Sequence, residues 1–138
     1  TGQGTFDWGS DACLSVTGAP WQTLGFGIGE MSHLGRAEMF STHCATLDGE
    51  FLVDGEGTLV AANGDELWFT YTGDLIGPFV PPPPTSVLVY VQENVVVGGT
   101  GRFEGASGQF LIMLTVTLED LSAPTAPVEG EISGYLKY

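Results

Sequence analysis

The sequence predicts an all-β fold, a single closed antiparallel barrel of about eight strands with almost no helix. Three observations predict it. Several segments alternate apolar and polar residues with period two, as pleated strands with one buried face do. Asn63-Gly64 lies between two such segments and is the strongest short hairpin signal. No stretch has the helical periodicity that parallel crossovers would require, so the connections are those of an antiparallel meander. Closing such a meander removes its exposed edges. A two-sheet sandwich is the alternative arrangement.

Taken in order, Thr1 to Ala12 holds Gly2, Gly4 and Gly9 and reads as a flexible N-terminal arm (1–12) able to pair with a neighbouring sheet edge. Ala12 to Thr17 and Arg36 to Ala45 read as strands, and Leu24 to Glu30 as a glycine-rich strand or bulged segment. From Glu50 to Ala61, period two places Phe51, Val53, Leu59 and Ala61 on one face, with Asp54 and Glu56 opposite. The Asn63-Gly64 turn is expected as type I′, with φ > 0 at both residues. Beyond it Leu67, Phe69 and Tyr71 alternate with Trp68, Thr70 and Thr72. Pro81 to Pro84 cannot donate ladder hydrogen bonds and reads as a stiff connection. Ser86 to Val97 is rich in Val, a residue that fits a half-buried pleated surface. Gln109 to Glu119 puts Phe110, Ile112, Leu114, Val116 and Leu118 on one face, 122–127 is a loop, and Val128 to Tyr138 is the last strand. No linker or internal repeat marks a second domain, so residues 1–138 are read as one.

Charge narrows the function classes. Three Lys and Arg stand against 17 Asp and Glu, a formal charge of -14. Such a chain cannot neutralise a row of phosphates and is repelled by anionic membranes, so neither nucleic acid nor membrane insertion is expected. The chain opens on Thr1, which reads as the removal of either a signal peptide or an expression leader, and scarce Lys suits the extracellular space or high salt. Secretion is the expected destination. Cys13 and Cys44 lack metal-ligand spacing; one disulfide is the simplest pairing, with two buried thiols as the alternative. No DxDxDG pattern suggests calcium, and no metal or cofactor is expected.

The most distinctive stretch is VVVGGTGRFEGASGQF, Val95 to Phe110. It does not fit a dinucleotide loop, because Glu104 stands where the third glycine belongs and a strand follows rather than a helix. The structural expectation is a tight connection of glycines at φ > 0, with Phe103 plugging the barrel rim. This stretch resembles the glycine-rich segment of allene oxide cyclases and plant dirigent proteins. The chain also looks like bacterial exported proteins carrying an HLGR segment (His33 to Arg36) and an AANGDEL hairpin (Ala61 to Leu67). The resemblance implies an eight-stranded barrel, often trimeric, around a hydrophobic cavity, in which an unstable oxide is cyclised or radical coupling is steered. Those families' catalytic residues lie outside the matched motif, so none is carried over.

No catalytic constellation is legible. His33 and His43 are the two histidines, and neither sits in a nucleophile-elbow pattern. His33 reads as a turn residue; His43 shares its strand with Glu38, at odd spacing that puts them on opposite faces. The pairs Asp54/Glu56, Asp65/Glu66, Glu119/Asp120 and Glu129/Glu131 read as solvated surface or turn. Trp68, Tyr71 and Tyr90, together with His43, are the candidates for lining a ligand pocket. Two functions follow as expectations. One is a non-catalytic exported barrel, a homo-oligomeric structural subunit or a binder of a small apolar ligand. The other is a cyclase or isomerase acting on a hydrophobic molecule inside the barrel.

Overall fold

The computed structural model describes the chain except residues 1, 9–12, 14–18, 20, 33, 47–49, 77–85 and 120–122. Among the described residues it has eight strands: β1 (Gly2–Trp8), β2 (Trp21–Met31), β3 (Gly35–Ala45), β4 (Phe51–Ala61), β5 (Glu66–Leu75), β6 (Ser86–Gly99), β7 (Ser107–Leu118) and β8 (Thr125–Lys137). Each pairs antiparallel with the next, and β1 pairs antiparallel with β8, closing a barrel in sequence order. We call upper the end that carries the β2–β3, β4–β5 and β6–β7 connections.

Parity assigns the interior. On β5 Leu67, Phe69, Tyr71 and Gly73 are buried while Trp68, Thr70, Thr72 and Asp74 are exposed. On β6 the inward set is Tyr90, Gln92, Asn94 and Val96, and on β7 it is Phe110, Ile112 and Val116 with Leu114. An upper cluster around Phe69, Phe110, Ile112 and the fully buried Phe103 is joined through Leu114 to a lower one of Leu52, Tyr90, Val116 and Ala126.

Four expectations change. Gly2–Trp8 is not an arm but strand β1, paired to β2 along its whole length and to β8 over Gly2–Thr5. The strand β8 begins at Thr125, inside the expected loop, because Thr125, Ala126 and Pro127 pair with β1. Phe51 is exposed and Leu52 is buried, opposite to strict alternation, because the β4–β5 register shifts between Leu52 and Gly55. Asp54 takes φ 51 there, and the extra residue reverses the facing of every side chain beyond it. The hairpin after β4 forms, but Asn63 keeps negative φ and only Gly64 is left-handed, at φ 86. Gly64 N–H bonds Ala61 O and Ala61 N–H bonds Asp65 O, both at 2.9 Å, the pattern of a longer turn ending in a left-handed glycine. The strand expected over 12–17 lies almost wholly outside the described residues, as do His33 and Pro81 to Pro84.

The glycine motif serves the upper rim, as expected. Gly101–Phe103 forms a short 3-10 turn, and Phe103 is 0% exposed. Its ring lies under the Arg102 guanidinium and packs edge-on against Tyr138. Gly101 has φ 55, and a Cβ there would collide with the Asp65 carboxylate, which accepts from Arg102 N–H at 3.2 Å. Glycine is therefore required where the β6–β7 connection docks on the β4–β5 hairpin. At the lower part of β3, Cys44 is disulfide-bonded to Cys13 with Cα atoms 5.7 Å apart, and Ala19 and Val53 pack around the pair.

Candidate ligand cavity

The interior is filled on one side and open on the other. On β4 the inward positions Gly55 and Gly57 are covered by the rings of their ladder partners on β5: Tyr71 over Gly55 and Phe69 over Gly57. On β2 the parity is inverted: glycines 25, 27 and 29 face inward while Leu24, Phe26 and Ile28 face out. Gly130 and Gly134 hold inward positions on β8. Because no ring covers Gly29, a cavity of about 540 Å³ remains between β2 and β8. Its floor is Leu59, Leu67, Phe110 and Ile112, and its walls include Met31, Met39, Ile132 and Leu136.

Among the described residues the cavity opens sideways, between β2 and β8. The β1–β8 ladder starts at Gly2–Val128, and β8 continues nine residues further, from Glu129 to Lys137. Over that length β8 still pairs with β7, out to Ser107–Lys137. On its other edge no ladder partner is present among the described residues. Ile132 faces the interior on this side and is 38% exposed.

The candidate ligand residues are dispersed. Trp68 points out of the barrel at 40% exposure, its indole N–H donating to Glu66 Oε2 at 2.8 Å, because even-numbered positions of β5 face solvent. Tyr90 belongs to the lower apolar cluster. His43 and Tyr71 are buried together in the filled half, with Nδ1 2.7 Å from the phenolic oxygen. None of the four lines the cavity. The Tyr71 hydroxyl also donates to Thr42 O at 3.4 Å, and the direction of the His43–Tyr71 bond follows the imidazole tautomer. Burial pushes His43 down to about 4. It pushes Tyr71 up to about 12, against the opposing hydrogen bond from Ser41. At neutral pH both groups are therefore uncharged and far from the range in which they exchange protons readily.

Two interior amides escape the sequence reading. Gln92 and Asn94 sit at inward positions of β6, and Asn94 Nδ2 donates to Gln92 O and Phe110 O, each at 3.1 Å. The signal was present: two amides at alternating positions inside a valine-rich strand mark either its solvent face or a deliberate polar row. The outward row Leu24, Phe26, Ile28 with Phe40, whose ring lies 5.2 Å from Phe26, was equally hidden by the glycines between its members. The chain matches no family model, no curated protein and no solved structure.

Proposed function

We propose that this protein is a secreted, non-catalytic barrel that binds a small apolar ligand in the cavity between β2 and β8. The observation that carries the reading is the cavity itself. Its volume of about 540 Å³ lies within the usual range for small-molecule sites, and its floor is made of Leu, Phe and Ile side chains. The disulfide Cys13–Cys44 supports an oxidising compartment. The exposed row Leu24, Phe26, Ile28 and Phe40 supports self-association through β2 and β3, by apolar contact rather than ion pairs. The closed eight-stranded meander is also what a kinship with allene oxide cyclases and dirigent proteins would require.

Titration with an environment-sensitive apolar fluorophore tests the ligand reading. Gly29→Leu is the decisive variant, since a Cβ at Gly29 meets nothing within 4 Å and the larger side chain grows into the cavity. Wild type should bind saturably, and Gly29→Leu should bind at least tenfold more weakly at unchanged melting temperature. Binding that ignores this substitution, or no binding by either protein, defeats the reading.

A cyclase or isomerase reading draws support from one feature, the buried His43–Tyr71 pair. Two others weigh against it. The pair does not line the cavity, and neither group titrates near neutrality.

A further inference from the structure

We propose that Asn63–Gly64, at the tip of the β4–β5 hairpin, is a site of self-modification: the asparagine deamidates through a cyclic imide, the docked glycine-rich rim slows the reaction, and the acidic product undocks that rim. Neither the cavity nor its ligand enters into this. The chemistry needs only the chain and water. Gly64 N gives up its proton and attacks Asn63 Cγ; the N–Cγ bond forms, the Cγ–Nδ2 bond breaks, and Nδ2 leaves as ammonia with that proton. Water then opens the imide at either carbonyl, leaving aspartate or isoaspartate at position 63. Asn63 and Gly64 are exposed, so solvent base and water reach both. Glycine is the following residue that crowds the attack least, having no side chain and the freest backbone, and the space where a Cβ would stand is open to 4 Å.

The folded turn holds every reacting group. Gly64 N–H donates to Ala61 O at 2.9 Å, which opposes loss of its proton. Asn63 Nδ2, the leaving nitrogen, donates to Asp65 Oδ2 at 2.8 Å, and Asn63 Oδ1 accepts from Asp65 N–H at 3.1 Å. Rotating the carboxamide to present its face to Gly64 N therefore breaks both bonds, one of them to a charged acceptor. Asp65 is itself held from across the rim. Its Oδ2 accepts from Arg102 N–H at 3.2 Å and lies 3.8 Å from Arg102 Nε, while its carboxylate packs where a Cβ of residue 101 would stand. One oxygen thus ties the reactive turn to the β6–β7 connection.

That same oxygen makes the product disruptive. Aspartate at position 63 places a second carboxylate where an N–H donor stood, 2.8 Å from Asp65 Oδ2. Two like charges at that distance repel. Isoaspartate instead routes the main chain through one extra carbon, inside a turn closed by hydrogen bonds from Gly64 N–H to Ala61 O and from Ala61 N–H to Asp65 O. Either product pulls Asp65 away from Arg102. The short turn Gly101–Phe103 then loses an anchor, and it carries Phe103, which is buried in the upper apolar cluster. A reaction at an exposed hairpin tip is in this way transmitted to the core of the upper rim.

The test incubates the whole chain at mildly alkaline pH, folded and in urea, and follows aspartate and isoaspartate at position 63 by peptide mapping. Deamidation should run at least tenfold faster in urea. Two substitutions release the clamp from opposite sides: Asp65→Ala removes the acceptor, and Gly101→Ala drives a Cβ into the Asp65 carboxylate without altering the hairpin. Each should speed deamidation of the folded protein at least threefold, and either suffices if the other does not fold. Gly57→Ala, a change in the barrel interior away from the rim, should leave the rate unchanged. In Asn63→Asp, hydrogen exchange at Arg102 and Phe103 should be at least tenfold faster than in wild type. An Asn63 that stays intact in urea, equal rates folded and in urea, or no response to either release overturns the proposal. So does equal acceleration by Gly57→Ala, which would trace the reaction to global opening, and so does unchanged exchange in Asn63→Asp.

Discussion

Glycines 55 and 57 on β4 and glycine 29 on β2 occupy equivalent inward positions of one barrel, with opposite consequences. On the β3–β7 side each glycine is the floor of an aromatic ring: Tyr71 lies on Gly55 and Phe69 on Gly57. Phe69 then meets Phe110 edge-on at 5.2 Å, so rings occupy that part of the interior. On the β8–β1–β2 side no large residue is sent across, so the same small residue produces a void. A glycine in a strand is therefore neither a packing residue nor a cavity residue by itself. Its ladder partner decides. The partner of Gly29 is Ala37, which has no ring to offer.

The filled side should carry the stability, and its disulfide offers the largest way to break it. Cys13–Cys44 closes a loop with a sequence separation of 31. On the chain-entropy model its removal costs about 3–4 kcal/mol. Denaturant unfolding of Cys13→Ser/Cys44→Ser against wild type measures this, and a loss below about 1 kcal/mol would show that the bond contributes little at the lower end.

The buried His43 gives an effect nearly as large, through pH. Its ordinary value of 6.5 applies to the unfolded chain, while burial holds it near 4 in the folded one. Between those values the unfolded chain binds more protons, so stability falls as pH drops from 6.5 to 4 and levels off below. The loss amounts to about 3 kcal/mol. Subtracting the pH profile of His43→Gln from that of wild type isolates this contribution; parallel profiles over that window would mean that His43 reaches solvent.

Legibility followed the same division. The hairpin around Asn63-Gly64, the inward set of β5 and β7, the rim plug Phe103 and the pairing of Cys13 with Cys44 were readable, because each depends on neighbours in sequence or on one simple choice. The inward side of β4 before its bulge was not readable, since a single residue at Asp54 reverses parity and nothing in the local pattern announces it. Strand β1 was missed because its stability comes from β2 and β8, far away in the chain, while its own residues include two glycines. The cavity was missed for a related reason. Aromatic residues were sought as pocket walls, whereas the void arises where inward side chains are missing, and the aromatics went to fill the opposite half.

The smallest effect is also the sharpest test of the two halves, because one substitution is made in each. A Cβ added at Gly57 would run into the Phe69 ring, at Cε2 and Cζ, and that ring is already packed against Tyr71 and Phe110. Gly57→Ala should therefore destabilise by about 1–3 kcal/mol, the cost of overpacking a filled core. A Cβ added at Gly29 meets nothing within 4 Å, and Gly29 needs no left-handed backbone. There the substitution chiefly restricts the unfolded chain, and Gly29→Ala should be neutral or stabilising by up to about 1 kcal/mol. Thermal unfolding of the two variants beside wild type reads both signs at once. If Gly29→Ala destabilises as much as Gly57→Ala, the wall between β2 and β8 is already closed by something packed against Gly29, and the cavity would have to be given up.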